Sequence, residues 1–257
     1  GNLSESKIHP MSTLCLDIGN TTTHIGLVKD SMVSESIRIP TRNLEEKLSK
    51  SVQNIKEAKL LAYCSVVPAA SKHAEEIAKS YGLKLFNLNA DTCPLSIAYP
   101  NPREIGQDRL ANAVAATNFS DPPVIIIDMG TATTFDIVTT ECGYEGGVIT
   151  AGLSLMREYL HERTALLPEV SYNELSYPAN VIGKSTREAM EIGGVIGYEG
   201  MVKEIVAALS AQLFERGIND PTLILTGGKA PFMEEALGED CHYIPNLTLQ
   251  GLELAIR

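Results

Sequence analysis

Two stretches decide the fold: LCLDIGNTTTHIGLV at residues 14–28 and IIIDMGTATTFDIV at residues 125–138. With Asp17 laid on Asp128, Gly19 falls on Gly130, Thr22 on Thr133 and Thr23 on Thr134. Each copy is an apolar strand, then Asp-x-Gly, then small hydroxyl residues, then a second apolar strand, which predicts a β-hairpin. The acid can hold a hydrated cation and the glycine permits close backbone approach to a phosphate, while threonine hydroxyls and backbone N–H groups supply donors. One copy alone is ordinary turn chemistry. Two copies point to a duplicated domain, with a phosphate-binding hairpin from each half facing a shared cleft.

Outward from the first copy, residues 32–39 alternate as a third strand would and residues 44–56 have helical spacing. Residues 60–67, 72–81 and 83–86 then read as strand, helix and strand. DRLANAVAATNF at residues 108–119 is a strong helix pattern, closed by the breaker Ser-Asp-Pro-Pro at residues 120–123. After the second copy come a strand at 144–149, helices at 153–161 and 186–216, and a strand at 222–225 ending in Thr226-Gly227-Gly228. A short helix at 231–237 and a final one at 246–256 close the pattern. Alternation of this kind makes an α/β protein. Residues 11–122 are expected to form one half and residues 123–257 the other, with residues 1–10 a polar leader or expression remnant.

Composition narrows the function. The 257 residues carry 21 Lys and Arg against 32 Asp and Glu, a net charge of −11. That argues against nonspecific nucleic-acid binding, which needs a concentrated basic surface. A hydrophobic fraction of 44% suffices for a sizeable core. No apolar run approaches the ~20 residues of a membrane span, and the first ten residues have no signal-peptide centre, so a soluble cytoplasmic protein is expected. Five scattered cysteines without a CxxC pair argue against a disulfide framework or a structural zinc, and five dispersed histidines without HExxH against a catalytic one.

Several motifs fail. Gly183-Lys184-Ser185 imitates the end of a Walker A loop, but Pro178 stands where its first glycine should be and no buried strand precedes it. Neither GxGxxG after a strand nor GxSxG occurs. What remains is Gly106-Gln107-Asp108-Arg109 opening a helix after Tyr99-Pro100-Asn101-Pro102. Asp108 suits a helix start by charge alone; it can equally accept a hydroxyl proton while Arg109 holds an anionic group. Phosphoryl transfer needs mostly positioning, charge neutralisation and one group to orient the nucleophile.

The blocks DIGNTTT (17–23), GQDRLANAVAA (106–116), DMGTATTFDIV (128–138), TALLPEV (164–170), IGKSTREAM (182–190) and LTGG (225–228) resemble the type III pantothenate kinases, of the acetate and sugar kinase, heat-shock chaperone and actin superfamily. The resemblance implies two duplicated actin-like (ribonuclease H-like) domains with a central nucleotide cleft, a homodimer, and transfer of the ATP γ-phosphate to the 4′-hydroxyl of pantothenate, the first step of coenzyme A biosynthesis. It implies ATP contacts at Asp17, Ile18, Gly19, Asn20, Thr21, Thr22, Thr23, His24 and Thr131, with Asp17 as the magnesium-side carboxylate. Asp128 matches the ligand of a monovalent cation, potassium or ammonium. Asp108 matches the proton acceptor, and Tyr99, Gly106, Gln107, Asp108, Arg109 and Thr186 the pantothenate contacts. One position departs from the family pattern: Ala151 stands where Gly-Gly-x-Ile-x-Pro-Gly has proline. A non-catalytic ATP-binding regulator of the same fold is the competing reading, which the intact Asp17, Asp108, Arg109 and Asp128 oppose.

Overall fold

Each repeat opens a sheet of identical topology in the computed structural model, which describes residues 11–51, 55–170 and 177–257. The first sheet contains β1 (Ser12–Ile18), β2 (Thr22–Lys29), β3 (Met32–Pro40), β4 (Ala58–Ser65) and β5 (Lys84–Asn87), in the order β3-β2-β1-β4-β5. β1, β2 and β3 form an antiparallel meander, and β4 and β5 add parallel to β1. The second contains β6 (Val124–Met129), β7 (Ala132–Thr139), β8 (Gly143–Ala151), β9 (Thr222–Thr226) and β10 (Cys241–Tyr243), in the order β10-β9-β6-β7-β8. Its pairings are the same, strand for strand. The duplicated α/β architecture expected from the repeat is therefore present in full. The proposed leader at residues 1–10 and residues 52–54 of the expected helix lie outside the described residues.

Helices α1 (Leu44–Ser51), α2 (Pro68–Tyr81) and α3 (Gln107–Phe119) follow β3, β4 and β5. Period-two alternation sends Leu14, Leu16 and Ile18 of β1 into a core with Ile25, Leu27, Leu44, Leu48, Ala74 and Ile77. The opposite face carries Cys15, and there Val28, Ala62, Cys64 and Leu88 pack with Ala111 of α3 and with Leu249 and Leu252 of the C-terminal helix α7 (Leu247–Leu254). Asp17 shares the parity of Cys15, so it points to the α3 side. The second sheet builds its core from Ile125, Ile127, Met129, Phe135 and Leu225, packed by α4 (Leu153–Glu162), the 30-residue α5 (Thr186–Glu215) and α6 (Ala230–Leu237). Among the described residues, no helix is long and apolar enough to cross a membrane.

Two units emerge: the described residues up to Ala115 together with Asn246–Arg257, and Ala116–Pro245. The sequence pattern assigned residues 246–257 to the second half, but packing assigns them to the first. Gly251 lies against the Ala111 carbonyl so closely that a Cβ would sit 1.8 Å from its oxygen, and the Thr248 hydroxyl donates to Asn112 Oδ1 at 2.6 Å. Chain order carries no information about such a return. β10 escaped the sequence reading because its three residues are too few for a period.

The register also corrects the repeat. Ile18 pairs with Thr23 and Asp17 with His24, whereas Met129 pairs with Thr133 and Asp128 with Thr134. Thr133 is thus the counterpart of Thr23, not of Thr22, and Thr134 that of His24; the second hairpin is one residue shorter. A run of consecutive threonines in both copies conceals the offset when they are aligned by identity.

Candidate active site

In the first hairpin, Asn20, Thr21 and Thr22 are exposed at the tip, while Thr23 and His24 are buried. The Gly19 N–H donates to the Thr22 carbonyl at 3.1 Å, closing the turn. Thr41, just beyond β3, braces it: its N–H donates to the Thr21 carbonyl at 3.0 Å and its hydroxyl to the Gly19 carbonyl at 2.7 Å, with Thr23 Oγ1 3.0 Å from that same hydroxyl. His24 Nε2 lies 2.9 Å from Ser36 Oγ on β3, and burial, then the Arg38 charge, lowers its pKa to about 4. The imidazole is therefore neutral at pH 7 and built into the sheet. Of the expected phosphate contacts, the side chains of Asn20, Thr21 and Thr22 face outward, and those of Thr23 and His24 hold the loop.

Asp17 and Asp108 both bear on one thiol, Asp17 by a hydrogen bond and Asp108 by its charge. Cys64 donates to Asp17 Oδ1 at 3.5 Å, and burial, followed by the charges of Asp17 and Asp108, pushes this thiol well up from its ordinary value. Asp108 occupies the first turn of α3, where its Oδ1 accepts the Arg109 N–H at 3.0 Å. Gly106 leaves room for that carboxylate, because a Cβ there would stand 2.8 Å from Asp108 Oδ1. Burial raises the Asp108 carboxyl above the usual carboxylate range, opposed by the Arg109 N–H and the Arg109 charge. A carboxylate whose affinity for a proton is raised in this way is a better base toward a hydroxyl group. Gln107, between Gly106 and Asp108, turns its amide toward Ser65 and Asn87 at the ends of β4 and β5.

The second hairpin exposes Gly130 and Thr131 and holds Asp128 half-buried at the end of β6. Thr133 Oγ1 is 2.6 Å from the Tyr198 hydroxyl of α5. Burial raises the Tyr198 pKa, the Thr133 bond opposes this, and the negative charge of Asp128 adds to it. The charge of Asp128 thus reaches a phenol that the sequence reading had not singled out. Gly152 occupies the register position of Thr41: its N–H donates to the Thr131 carbonyl at 2.9 Å, and a Cβ would lie 2.3 Å from both the Gly130 and Thr131 oxygens. By the same register Ala151, opposite Ala132, is the counterpart of Pro40, opposite Thr22. Gly227 has a φ of 95°, and its Cβ would meet Met129 backbone atoms at 2.6 to 2.7 Å, so the Thr226-Gly227-Gly228 turn lies against the base of this hairpin.

Tyr99 is half-buried in the irregular segment between β5 and α3. Thr186 is exposed as the first residue of α5, and its predecessor Ser185 is the cap, accepting the Glu188 N–H at 3.1 Å. Ahead of this helix a cavity of about 650 Å³ is lined by Pro178, Val181, Ile182, Lys184, Glu188 and Glu191. Among the described residues, no three His, Cys, Asp or Glu side chains gather to hold a metal.

The family model for type III pantothenate kinase matches residues 13–208. The chain belongs to the type III pantothenate kinases. It is 39% identical over 248 residues to the type III pantothenate kinase of Akkermansia muciniphila, spanning 95% of this chain and 98% of that one. To the enzyme of the same name from Bacillus cytotoxicus it is 34% identical, over 92% of each chain. Solved structures share the actin-like fold at low identity. A ROK hexokinase from Thermus thermophilus aligns with a TM-score of 0.51 and 14% identity, over 95% of this chain and 98% of that one. A conserved Campylobacter jejuni protein, described as a Baf-family transcriptional activator, aligns with a TM-score of 0.63 and 17% identity, over 95% and 96%.

Proposed function

We propose that this type III pantothenate kinase transfers the γ-phosphate of ATP to the 4′-hydroxyl of pantothenate, opening coenzyme A biosynthesis in the cytoplasm, with Asp108 as the base. The observation that carries the assignment is the buried Asp108 carboxylate in the first turn of α3, which accepts the Arg109 N–H and whose charge, like that of Asp17, acts on the Cys64 thiol. The pantothenate hydroxyl oxygen forms the new bond to phosphorus as the bond to the β–γ bridging oxygen breaks. ADP leaves with that electron pair, and the hydroxyl proton passes to Asp108. Arg109 offsets the negative charge on the transferring group.

The tip of the first hairpin, at Asn20, Thr21 and Thr22, presents hydroxyl, amide and backbone donors to the ATP phosphates, and Thr131 does so in the second. Asp17 is the carboxylate for magnesium. Among the described residues no group of three His, Cys, Asp or Glu side chains includes this half-buried acid, which suits an ion that keeps water and phosphate oxygens as its other ligands. When bound with ATP, that ion neutralises phosphate charge. Asp128, a single carboxylate beside the neutral Tyr198 phenol, suits a monovalent ion, potassium or ammonium. Tyr99, Thr186 and, from the turn at residues 106–109, Gly106, Asp108 and Arg109 are assigned to pantothenate.

The active form is a homodimer in this proposal. Leu166, Val181 and Ile182 are 90%, 68% and 71% exposed, and Ile196, Gly193, Gly197 and Gly200 lie exposed on α5. Each glycine costs a helix interior about 1 kcal/mol relative to alanine, and a closely approaching second helix gives that cost a use. Light scattering should return twice the chain mass. A coupled assay of ADP release with and without pantothenate tests the activity itself: release independent of pantothenate would overturn the acceptor. Asp108→Asn is expected to lose 100-fold or more in kcat, on the order of general-base catalysis, and near-normal turnover would remove Asp108 from the mechanism.

A further inference from the structure

We infer that Asn87 is a positioning residue for Asp108, acting through a side-chain amide pair with Gln107 that ties the start of α3 to the ends of β4 and β5. Gln107 Oε1 accepts from the Ser65 N–H at 2.9 Å and from Asn87 Nδ2 at 2.9 Å, and Gln107 Nε2 returns a bond to Asn87 Oδ1 at 3.4 Å. Asn87 is itself held: its Nδ2 also reaches the Tyr63 carbonyl at 3.3 Å, and its Oδ1 accepts from Asn89 Nδ2 at 2.9 Å.

The orientations of both amides follow from their neighbours. The Ser65 N–H can only donate, so Gln107 must turn its oxygen to it; the Tyr63 carbonyl can only accept, so Asn87 must turn its nitrogen. Both acceptor sites of Gln107 Oε1 are then occupied, and a substrate could bond to it only by displacing the strand ends. Gln107, grouped with the substrate contacts by its place in the Gly106–Arg109 turn, therefore faces the sheet. Asp108 is the next residue, and its carboxylate accepts the Arg109 N–H at 3.0 Å within its own turn. The placement of the base relative to Asp17 thus depends on where α3 begins, and the amide pair fixes that point against β4 and β5. Displacing a reacting group by about 1 Å can cost up to 10²-fold in rate, so a loosened helix start should register in kcat.

This inference rests on the proposed role of Asp108, and steady-state kinetics of the full-length protein separate the two. Asn87→Ala and Gln107→Ala are each expected to lower kcat about tenfold, with KM for pantothenate and ATP changed less than about twofold, and the double variant should be no worse than the poorer single one. Gln107→Glu keeps the oxygen that accepts from Ser65 and Asn87 but loses the Nε2 bond to Asn87 Oδ1, so it should recover only part of kcat. If Asn87→Ala does not fold, Gln107→Met, which fills the volume without an acceptor, must show the same kcat loss. A raised pantothenate KM in Gln107→Ala, with Asn87→Ala at wild-type values, would overturn the inference in favour of direct substrate contact. Wild-type turnover in every variant would overturn it as well. Normal turnover of Asp108→Asn would instead remove the role on which the inference rests.

Discussion

The two hairpins occupy the same place in the same topology, yet they are braced by different chemistry. Behind the first tip stands Thr41, whose hydroxyl and N–H both bond the loop; behind the second stands Gly152, whose backbone packs on the loop carbonyls with no room for a side chain. Beside the loops the contrast recurs. After β4 the chain runs Ser65-Val66-Val67 into α2, and after β9 it runs Thr226-Gly227-Gly228 toward α6. Both halves hold the loop with a backbone N–H, and only the first adds a side-chain hydroxyl to it. The acids diverge as well. Asp17 meets a thiol that is also near Asp108, the proposed base, and Asp128 meets a phenol.

That difference can be broken by experiment. The largest effect is expected at the acids. Asp17→Asn should lose about 100-fold or more in kcat whatever the monovalent salt, on the scale of charge neutralisation in phosphoryl transfer. Asp128→Asn should reduce the rate in potassium or ammonium buffer to what the wild type shows in sodium alone. Rates measured in the three salts check both, and an identical salt response of the two variants would erase the distinction.

Next come the braces. Gly152→Ala forces a Cβ to within 2.3 Å of two carbonyl oxygens, and overpacking of that kind costs about 3 kcal/mol. Thr41→Ala keeps the N–H bond and loses the hydroxyl and the γ-methyl, about 1 to 2 kcal/mol. Denaturant titration should rank them in that order; the reverse order would mean that the first loop depends more on its brace.

His24 has Thr134 as its counterpart, so only the first half carries a titrating group at this register. A folded pKa of about 4, below the ordinary 6.5, favours the neutral ring in the native state. Its stabilisation is complete above pH 6.5 and is lost as pH falls through 4, roughly 3 kcal/mol in all. His24→Thr should remove that part of the acid sensitivity, as read from unfolding free energies at pH 7 and pH 4. The smallest effect is expected for Ala151→Pro. Pro40 already occupies the matching position of the first sheet, so the ring should be tolerated and add about 0.4 to 1 kcal/mol by restricting the unfolded chain. A fall in melting temperature would show that the second half needs a backbone the first does not.

Much of this site was legible in the residues. Asp17, Asp108 and Asp128 each sit at a strand end or helix start that the local pattern already marked, because apolar periodicity and helix-start chemistry are local. Thr41, Asn87, Tyr198 and Gly152 were not legible, since each acts across the sheet or from another element and no spacing along the chain announces it. The same applies to Thr23 and His24. The residues just before them, Asn20, Thr21 and Thr22, are exposed, and only the cross-strand register decides that these two are buried.

The sequence by itself determined the duplication, the strand–helix alternation, the family and the placing of three acids at strand ends and a helix start, all of which follow from repeated residues and short-range periods. Tertiary structure alone decided that the second loop is one residue shorter, that the C-terminal helix packs with the first unit, that Asp17 and Asp108 share one thiol, and that Gln107 faces the sheet. Those outcomes depend on which backbones come within hydrogen-bonding distance, and such contacts join residues far apart in the chain, Asn112 and Thr248 at 136 positions and Ser31 and Gln250 at 219. A loop can shorten by one residue and keep its threonines, and only strand pairing registers the change.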